Sequence, residues 1–313
     1  MKKLISNFTF LLAVICLAFS SPVFSQIDES FSNVKKVKFD IAVGDIQLQK
    51  SNSGKTELLG NYDEGKLNVE VLFKNGELSV IEKTKKKKTR GSIDSKYTLS
   101  IPDDIFVNIN TGTGDVSLND LSTKTNINTG TGMVSFQNYN GASKLNSGTG
   151  NVRVIDSKGD IDMNSGTGNV MIENSSGDLV ANSGTGNVKV DKVKGKLAAN
   201  SGTGNVKGSN VHLEGTASFN SGTGAAQYVL TGEVSNDLSV NSGTGDAILD
   251  MNGQRFEGTL IMKCDKDHGS ISAPFSFDKT ETKDDTLIKY KYFGDSGVEI
   301  QVSTGTGKAK VMK

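Results

Sequence analysis

A tetrapeptide of alternating hydroxyl residues and glycines, Thr-Gly-Thr-Gly or Ser-Gly-Thr-Gly, occurs nine times in this 313-residue chain. Two copies begin at Ser221 and Ser242, after steps of 20 and 21 residues, and the last begins at Thr304, after a step of 62. The other six begin on a strict 18-residue step, at Thr111, Thr129, Ser147, Ser165, Ser183 and Ser201. A fixed step of this length indicates one structural unit copied along the chain, so it constrains the architecture before any single residue does.

One repeat unit, residues 146–163, contains two short runs in which apolar and polar residues alternate. Val152 and Val154 supply the apolar positions of the first run, and Ile161 and Met163 supply those of the second. A period of two is typical of β-strands with one buried face, and the density of glycine excludes helix. The sequence therefore predicts an all-β, single-chain parallel β-solenoid of 18-residue coils, right-handed and two-sided or nearly so, with irregular β caps at both ends.

Stacked coils place equivalent residues in columns about 4.8 Å apart along the solenoid. We expect the glycines of the tetrapeptide to form turns, because glycine takes positive φ without a Cβ clash. An asparagine precedes each of the first eight tetrapeptides, and we interpret this column as a structural ladder of amide hydrogen bonds, formed by Asn110, Asn128, Asn146, Asn164, Asn182, Asn200, Asn220 and Asn241.

The N-terminal residues 1–25 have the pattern of an export signal. Lys2 and Lys3 precede an apolar run from Phe8 to Phe19, and Val23-Phe24-Ser25 offers acceptable residues for cleavage. We therefore expect an exported chain that begins near Gln26 and resides in the periplasm, at the outer-membrane surface or outside the cell. The rest of the chain divides into an N-terminal cap or wider first coils over 26–109, a regular solenoid of 18- to 21-residue repeats over 110–250, and closing coils over 251–313.

Composition limits the classes of partner and of stabilising bond. Without Lys2 and Lys3, 33 basic residues oppose 35 acidic ones, so bulk charge favours no polyanionic partner, and nucleic acid is not expected. Cys264 is then the single remaining cysteine, so an internal disulfide is impossible and stability must come from stacking.

Three motifs stand out along the chain: Gly44-Asp45-Ile46, Leu99-Ser100-Ile101-Pro102 leading into residues 107–116, and the recurring Ser-Gly-Thr-Gly-Asn-Val. Together they resemble the bacterial putative-adhesin domain family. Members of that family are exported β-solenoid proteins, many of unknown function, so the resemblance implies the fold and an adhesin-like role without transferring any binding residue. The family often has Asp after the second glycine, whereas here that position holds Asp115, Met133, Asn151, Asn169, Asn187, Asn205, Ala225 and Asp246.

Two features are candidate binding elements. The first is a basic run between two strand-like segments, which predicts an exposed loop able to contact anionic lipid headgroups or acidic polysaccharide: Lys85, Lys86, Lys87, Lys88 and Arg90. The second is a column of threonines, one per coil, which resembles the ladders of ice-binding solenoids, although a position within turns favours a structural role: Thr113, Thr131, Thr149, Thr167, Thr185 and Thr203.

Neither a metal nor a cofactor is expected. Most turns lack the carboxylates that a calcium ladder requires, and the Cys264–His268 segment offers too few ligands for a zinc site. The acidic cluster Asp160, Asp162 and Asp178 is a candidate for carbohydrate cleavage, but Lys196 and Arg153 beside it favour a solvated, partly paired face.

The sequence therefore predicts an exported, non-enzymatic, adhesin-like protein of the cell surface or envelope. Its expected partner is a cell-surface glycan, lipopolysaccharide or an envelope protein. Two alternatives remain open: a polysaccharide-acting β-helix enzyme that uses the acidic cluster, and a structural or ice-binding rod that uses the threonine column.

Overall fold

The computed structural model describes residues 24–85 and 93–313, and within them every regular element is a β-strand. The strands form two long, mostly parallel sheets, called here sheet A, of 14 strands, and sheet B, of 15. Alternate residues of both sheets build one continuous apolar core. This architecture confirms the predicted all-β solenoid. Of the predicted export signal only Phe24 and Ser25 are described, and of the basic run only Lys85.

Seven strands precede the regular coils: β1 (Phe24–Phe31), β2 (Lys36–Val43), β3 (Asp45–Lys50), β4 (Thr56–Asp63), β5 (Leu67–Lys74), β6 (Glu77–Thr84) and β7 (Ser95–Ile101). β2 and β3 form a coil that stacks on the first regular coil, while β6 and β7 form a second coil stacked outside β2 and β3. Antiparallel pairing then ends the parallel stack, because β5 pairs with β6, β4 pairs with β7 and β1 pairs with β4.

Eight coils follow, each made of one strand in sheet B and then a four-residue strand in sheet A. The strands are β8 (Phe106–Thr113), β9 (Val116–Asn119), β10 (Thr125–Thr131), β11 (Val134–Gln137), β12 (Ser143–Thr149), β13 (Val152–Ile155), β14 (Ile161–Thr167), β15 (Val170–Glu173), β16 (Ser176–Thr185), β17 (Val188–Asp191), β18 (Lys194–Thr203), β19 (Val206–Ser209), β20 (His212–Ser221), β21 (Ala226–Val229), β22 (Leu238–Ser242) and β23 (Ala247–Asp250). Their inward aliphatic residues are buried as predicted; Val152, Val154, Ile161 and Met163 are at most 1% exposed.

Six further strands close the solenoid: β24 (Thr259–Asp265), β25 (Ser270–Ser272), β26 (Lys279–Lys283), β27 (Thr286–Tyr292), β28 (Glu299–Thr304) and β29 (Lys308–Met312). β24 and β25 form the outermost coil, and the antiparallel strands β27 and β26 extend sheet B beyond it.

The chain interleaves its coils at both ends. β28 and β29 come last in sequence, yet they lie between the coil of β22 and β23 and the outermost coil of β24 and β25. Likewise β2 and β3 lie between the first regular coil and the coil of β6 and β7. Thr304 therefore pairs directly with Ser242. The 62-residue step between them contains β23 and then β24–β27, and β24–β27 lie outside β28 and β29 in the stack.

The tetrapeptide lies at the end of a sheet B strand rather than wholly within a turn. From β8 to β18, its first three residues close the strand, and the second glycine alone has positive φ, between 142° and 151°. The first glycine is a strand residue, so interpreting it as a turn residue is wrong. It is required because a Cβ on Gly166 would lie 2.6 Å from the carbonyl oxygen of Gly148 in the coil before.

Candidate binding surface

The asparagine column runs along the outer face of sheet B. In each of the seven links from Asn110 to Asn241, the amide nitrogen donates to the side-chain oxygen one coil earlier, at 2.8–3.1 Å. An amide carries both a donor and an acceptor, so one orientation repeated in every coil satisfies every link. The column therefore fixes a row of half-buried polar side chains on this face.

The two hydroxyl residues of the tetrapeptide have different environments. The first is buried, at 4–6% exposure, and from Ser147 to Ser242 its hydroxyl donates to the carbonyl of the second glycine one coil earlier at 2.7–2.8 Å. The second is exposed and pairs in register with the threonine of the next coil, as Thr149 pairs with Thr167. The six threonines from Thr113 to Thr203 are therefore strand-end residues, not turn residues as expected, and their role in binding stays a prediction.

A second polar column follows the second glycine, and its role was not predicted from the sequence. Asn151 Oδ1 accepts a hydrogen bond from the backbone N–H of Asn169 at 2.8 Å, and Asp246 Oδ1 accepts one from the N–H of Lys308 at 2.9 Å. Asp and Asn are interchangeable here because both supply the same acceptor oxygen. The occurrence of Asp or Asn at six of the eight positions was the sequence signal that could have revealed this role.

The structure describes only Lys85 of the basic run, and it divides the acidic cluster between two columns. Lys85 is exposed and its Nζ donates to the carbonyl of Glu64 at 2.6 Å, while the other four basic residues lie outside the described residues. Asp178 pairs in register with Lys196, whereas Asp162 lies in the neighbouring column and accepts a hydrogen bond from Asn164 at 3.0 Å.

The segment around His268 forms a polar turn. Asp265 Oδ1 accepts hydrogen bonds from the backbone N–H groups of Asp267 and His268 at 2.9 and 2.8 Å. These bonds hold the pKa of Asp265 below its usual value. Cys264 is buried. Over residues 24–85 and 93–313, no three or more side chains of His, Cys, Asp or Glu form a group that could hold a metal ion.

An open groove of about 550 Å³ crosses the outer face of sheet B over β16, β18, β20, β22 and β28. Its floor is one column of small residues, Val180, Ala198, Ser218 and Ser239, followed by Gln301. In the preceding coils the same column holds the longer Asn126, Lys144 and Asp162, so the groove begins where these side chains shorten.

Polar side chains line both sides of this floor. One side is formed by the column that precedes the floor residues along each strand, and the other is bordered by Asn241 of the asparagine column. The charges on the first side are mixed, with carboxylates in the majority: Asp178, Lys196, Thr216, Asp237 and Glu299. The side chains that line the groove can therefore accept and donate hydrogen bonds along its whole length, from β16 to β28.

A second cavity, of about 900 Å³, lies at the C-terminal end of the solenoid. Phe256, Phe275 and Phe293 contribute its aromatic lining, with ring centroids 5.1–5.3 Å apart where they touch. Its walls are loops and segments between strands, unlike the strand-built groove of sheet B.

Comparison with known proteins shows the family. The Toastrack family model (DUF4097) matches residues 34–259, so the chain belongs to this family, which confirms the resemblance inferred from the repeated motif. No curated protein matches the sequence. Within the described residues no helix is long and apolar enough to cross a membrane.

Three solved structures are similar over almost the whole chain. A putative adhesin from Bacteroides fragilis is 16% identical with a TM-score of 0.35, and the match covers 93% of this chain and 98% of that one. A putative adhesin from Parabacteroides merdae is 13% identical with a TM-score of 0.38, covering 93% and 96%. A putative lipid binding protein from Parabacteroides distasonis is 15% identical with a TM-score of 0.37, also covering 93% and 96%.

Proposed function

We propose that this Toastrack protein is an exported, non-enzymatic attachment protein that holds a partner at the cell surface or envelope in the groove on sheet B. The observation that supports this most strongly is the groove itself, a strand-built depression lined along its length by polar side chains. A site built on strands keeps its geometry better than one built on loops. Attachment requires such a surface and no reacting group.

The charge of the groove favours an uncharged partner over an anionic one. Asp178, Asp237 and Glu299 oppose Lys196 in the lining, so a polyanion would meet more carboxylates than ammonium groups. Like charges in close contact cost binding free energy, which selects against such partners. Among the expected partners, an uncharged cell-surface glycan or an envelope protein therefore fits this site better than lipopolysaccharide.

The test is binding of purified residues 26–313 to fixed bacterial cells and to envelope fractions, compared with a variant that fills the groove. Ser218→Trp places a bulky side chain on the groove floor, and Lys144→Trp is the matched control because Lys144 occupies the same outward column four strands away, outside the groove. We expect Ser218→Trp to abolish most binding and Lys144→Trp to preserve it. Absence of wild-type binding, or equal binding by both variants, would overturn the proposal.

A further inference from the structure

Beyond the groove, its floor column continues in register across sheet B towards a pair of tyrosines. In register across sheet B, the floor column passes from Ser239 to Gln301, then to Ile261 and Tyr290. Tyr292 lies two residues further along the same strand and therefore on the same outer face. The small-residue floor and the two tyrosines thus share one outer face, with Gln301 and Ile261 between them.

The two tyrosine rings form an ordered platform. Their planes are 17° from parallel, with centroids 6.5 Å apart, and Tyr292 exposes 50% of its surface. Tyr290 is held in place because its hydroxyl donates to Glu281 at 2.6 Å. Lys279, on the edge strand β26, places Nζ 4.9 Å from the Tyr290 ring centroid. Tyr292 is therefore the ring with a free surface.

Chemistry of this kind matches a sugar chain. An exposed aromatic ring can stack on the apolar C–H face of a pyranose, since it presents an apolar surface with a polar tip. Hydroxyls around the sugar ring can donate to carboxylates and exchange hydrogen bonds with amides, and both groups line the groove. Few other ligands combine an apolar face with hydroxyls on every unit.

The length of the strip points to a chain rather than a single sugar. Seven neighbouring strands, β27, β24, β28, β22, β20, β18 and β16, contribute to it, and six spacings of about 4.8 Å give about 29 Å. Asp178, Asp237 and Glu299 supply three carboxylates along this strip, and Lys196 and Lys263, whose Nζ donates to Gln301 at 2.8 Å, supply two ammonium groups. Lys279 and Glu281 beside Tyr290 form an ion pair and leave this balance unchanged. The strip is weakly negative, which disfavours a uronic acid polymer.

We infer that the groove binds a linear, uncharged oligosaccharide or polysaccharide, with one sugar ring stacked on Tyr292 and the rest of the chain along the Val180–Ser239 column. This inference names the partner of the site proposed above and rests on that proposed function. Tyr292 and the polar lining contact the ligand, while Tyr290 is a positioning residue.

The experiment is calorimetric titration of residues 26–313 with uncharged hexasaccharides, namely cellohexaose, maltohexaose, xylohexaose and mannohexaose, and with the anionic hexagalacturonate. We expect at least one uncharged chain to bind and hexagalacturonate to bind more weakly than it. Tyr292→Ala should weaken binding about tenfold, while Tyr292→Phe should stay close to wild type, since the ring surface is kept. Phe73→Ala is the control, because Phe73 is 43% exposed on β5 at the other end of the solenoid.

The outcomes separate the ligand class from the proposed function. If no uncharged hexasaccharide binds, or hexagalacturonate binds best, or Tyr292→Ala binds as well as wild type, the inference is wrong. Cell binding that Ser218→Trp still abolishes would then leave the attachment function standing with another ligand. Chromatography of the titrated sugars adds a direct check on catalysis, because shortened products would show an enzyme instead of a binding protein.

Discussion

At the scale of single residues, the turn after each sheet A strand shows how the repeat tolerates variation. Six equivalent residues there have φ between 48° and 56°: Asp120, Asn138, Asp156, Asn174, Lys192 and Asn210. Asn and Asp occupy this left-handed region at low cost, whereas most other side chains with a Cβ do not. Lys192→Asn should therefore raise the free energy of unfolding by about 1 kcal/mol, measured by urea denaturation.

Lys189→Asn is the matched control for this substitution. Lys189 is an exposed residue of β17, three residues away, and its loss removes the same charge from the same coil. Because asparagine is a poor strand residue, this variant should gain nothing and lose slightly. An equal gain in both variants would assign the effect to charge rather than to backbone conformation.

At the scale of the elements, the asparagine column joins neighbouring strands of sheet B. Asn182 takes part in two links, donating to Asn164 at 2.9 Å and accepting from Asn200 at 2.8 Å, whereas Asn110 at the start of the column only accepts from Asn128. Asn182→Ala removes one hydrogen bond from each of two half-buried partners, Asn164 and Asn200, and should cost about 1–3 kcal/mol, while Asn110→Ala should cost less. Hydrogen exchange over β14 and β18, together with denaturation, measures both.

Equal costs for the two variants would mean that the number of side-chain links removed does not determine the loss of stability. Faster exchange in Asn182→Ala should be confined to the strands on either side of it, since each coil of a solenoid contacts only its neighbours. Exchange that rises evenly over all coils would contradict this local account.

Columns of residues could be foreseen from the sequence because an 18-residue step fixes which residues stack. Asn146 above Asn128, and Val154 above Phe136, follow from the step alone. The boundary of the strand at Thr167 could not be foreseen, because glycine serves both in close backbone contacts and in turns, and the choice depends on where the neighbouring carbonyl lies. Similarly, the groove could not be foreseen. It depends on the length of the side chains in one column, and unrepeated strands such as β24 and β27 set how far that column extends.

At the scale of the whole molecule, interleaved coils decide how the stack ends. Residues 251–298 carry no copy of the tetrapeptide, and only the return of the motif at Thr304 hints that the chain comes back to the regular array. Because β28 and β29 are inserted before the outermost coil, both of their edges are paired. The C-terminal strands are thereby protected from fraying. At this end of the solenoid the edge strand of sheet B is β26, a charged Lys-Thr-Glu-Thr-Lys strand of the kind that discourages edge pairing.

Truncation after residue 298 tests this arrangement. Without β28 and β29, the coil of β24 and β25 loses the parallel partners that join it to β22 and β23, so residues 259–292 should become sensitive to protease while β8–β23 stay resistant. Truncation after residue 250 is the comparison, because it removes the closing coils together and exposes the same edges of β22 and β23. Both truncated forms should self-associate in light scattering, since open parallel edges pair readily. Protection of residues 259–292 after loss of 299–313, seen by mass spectrometry of the digest, would show that the closing segment folds without the interleaved coil.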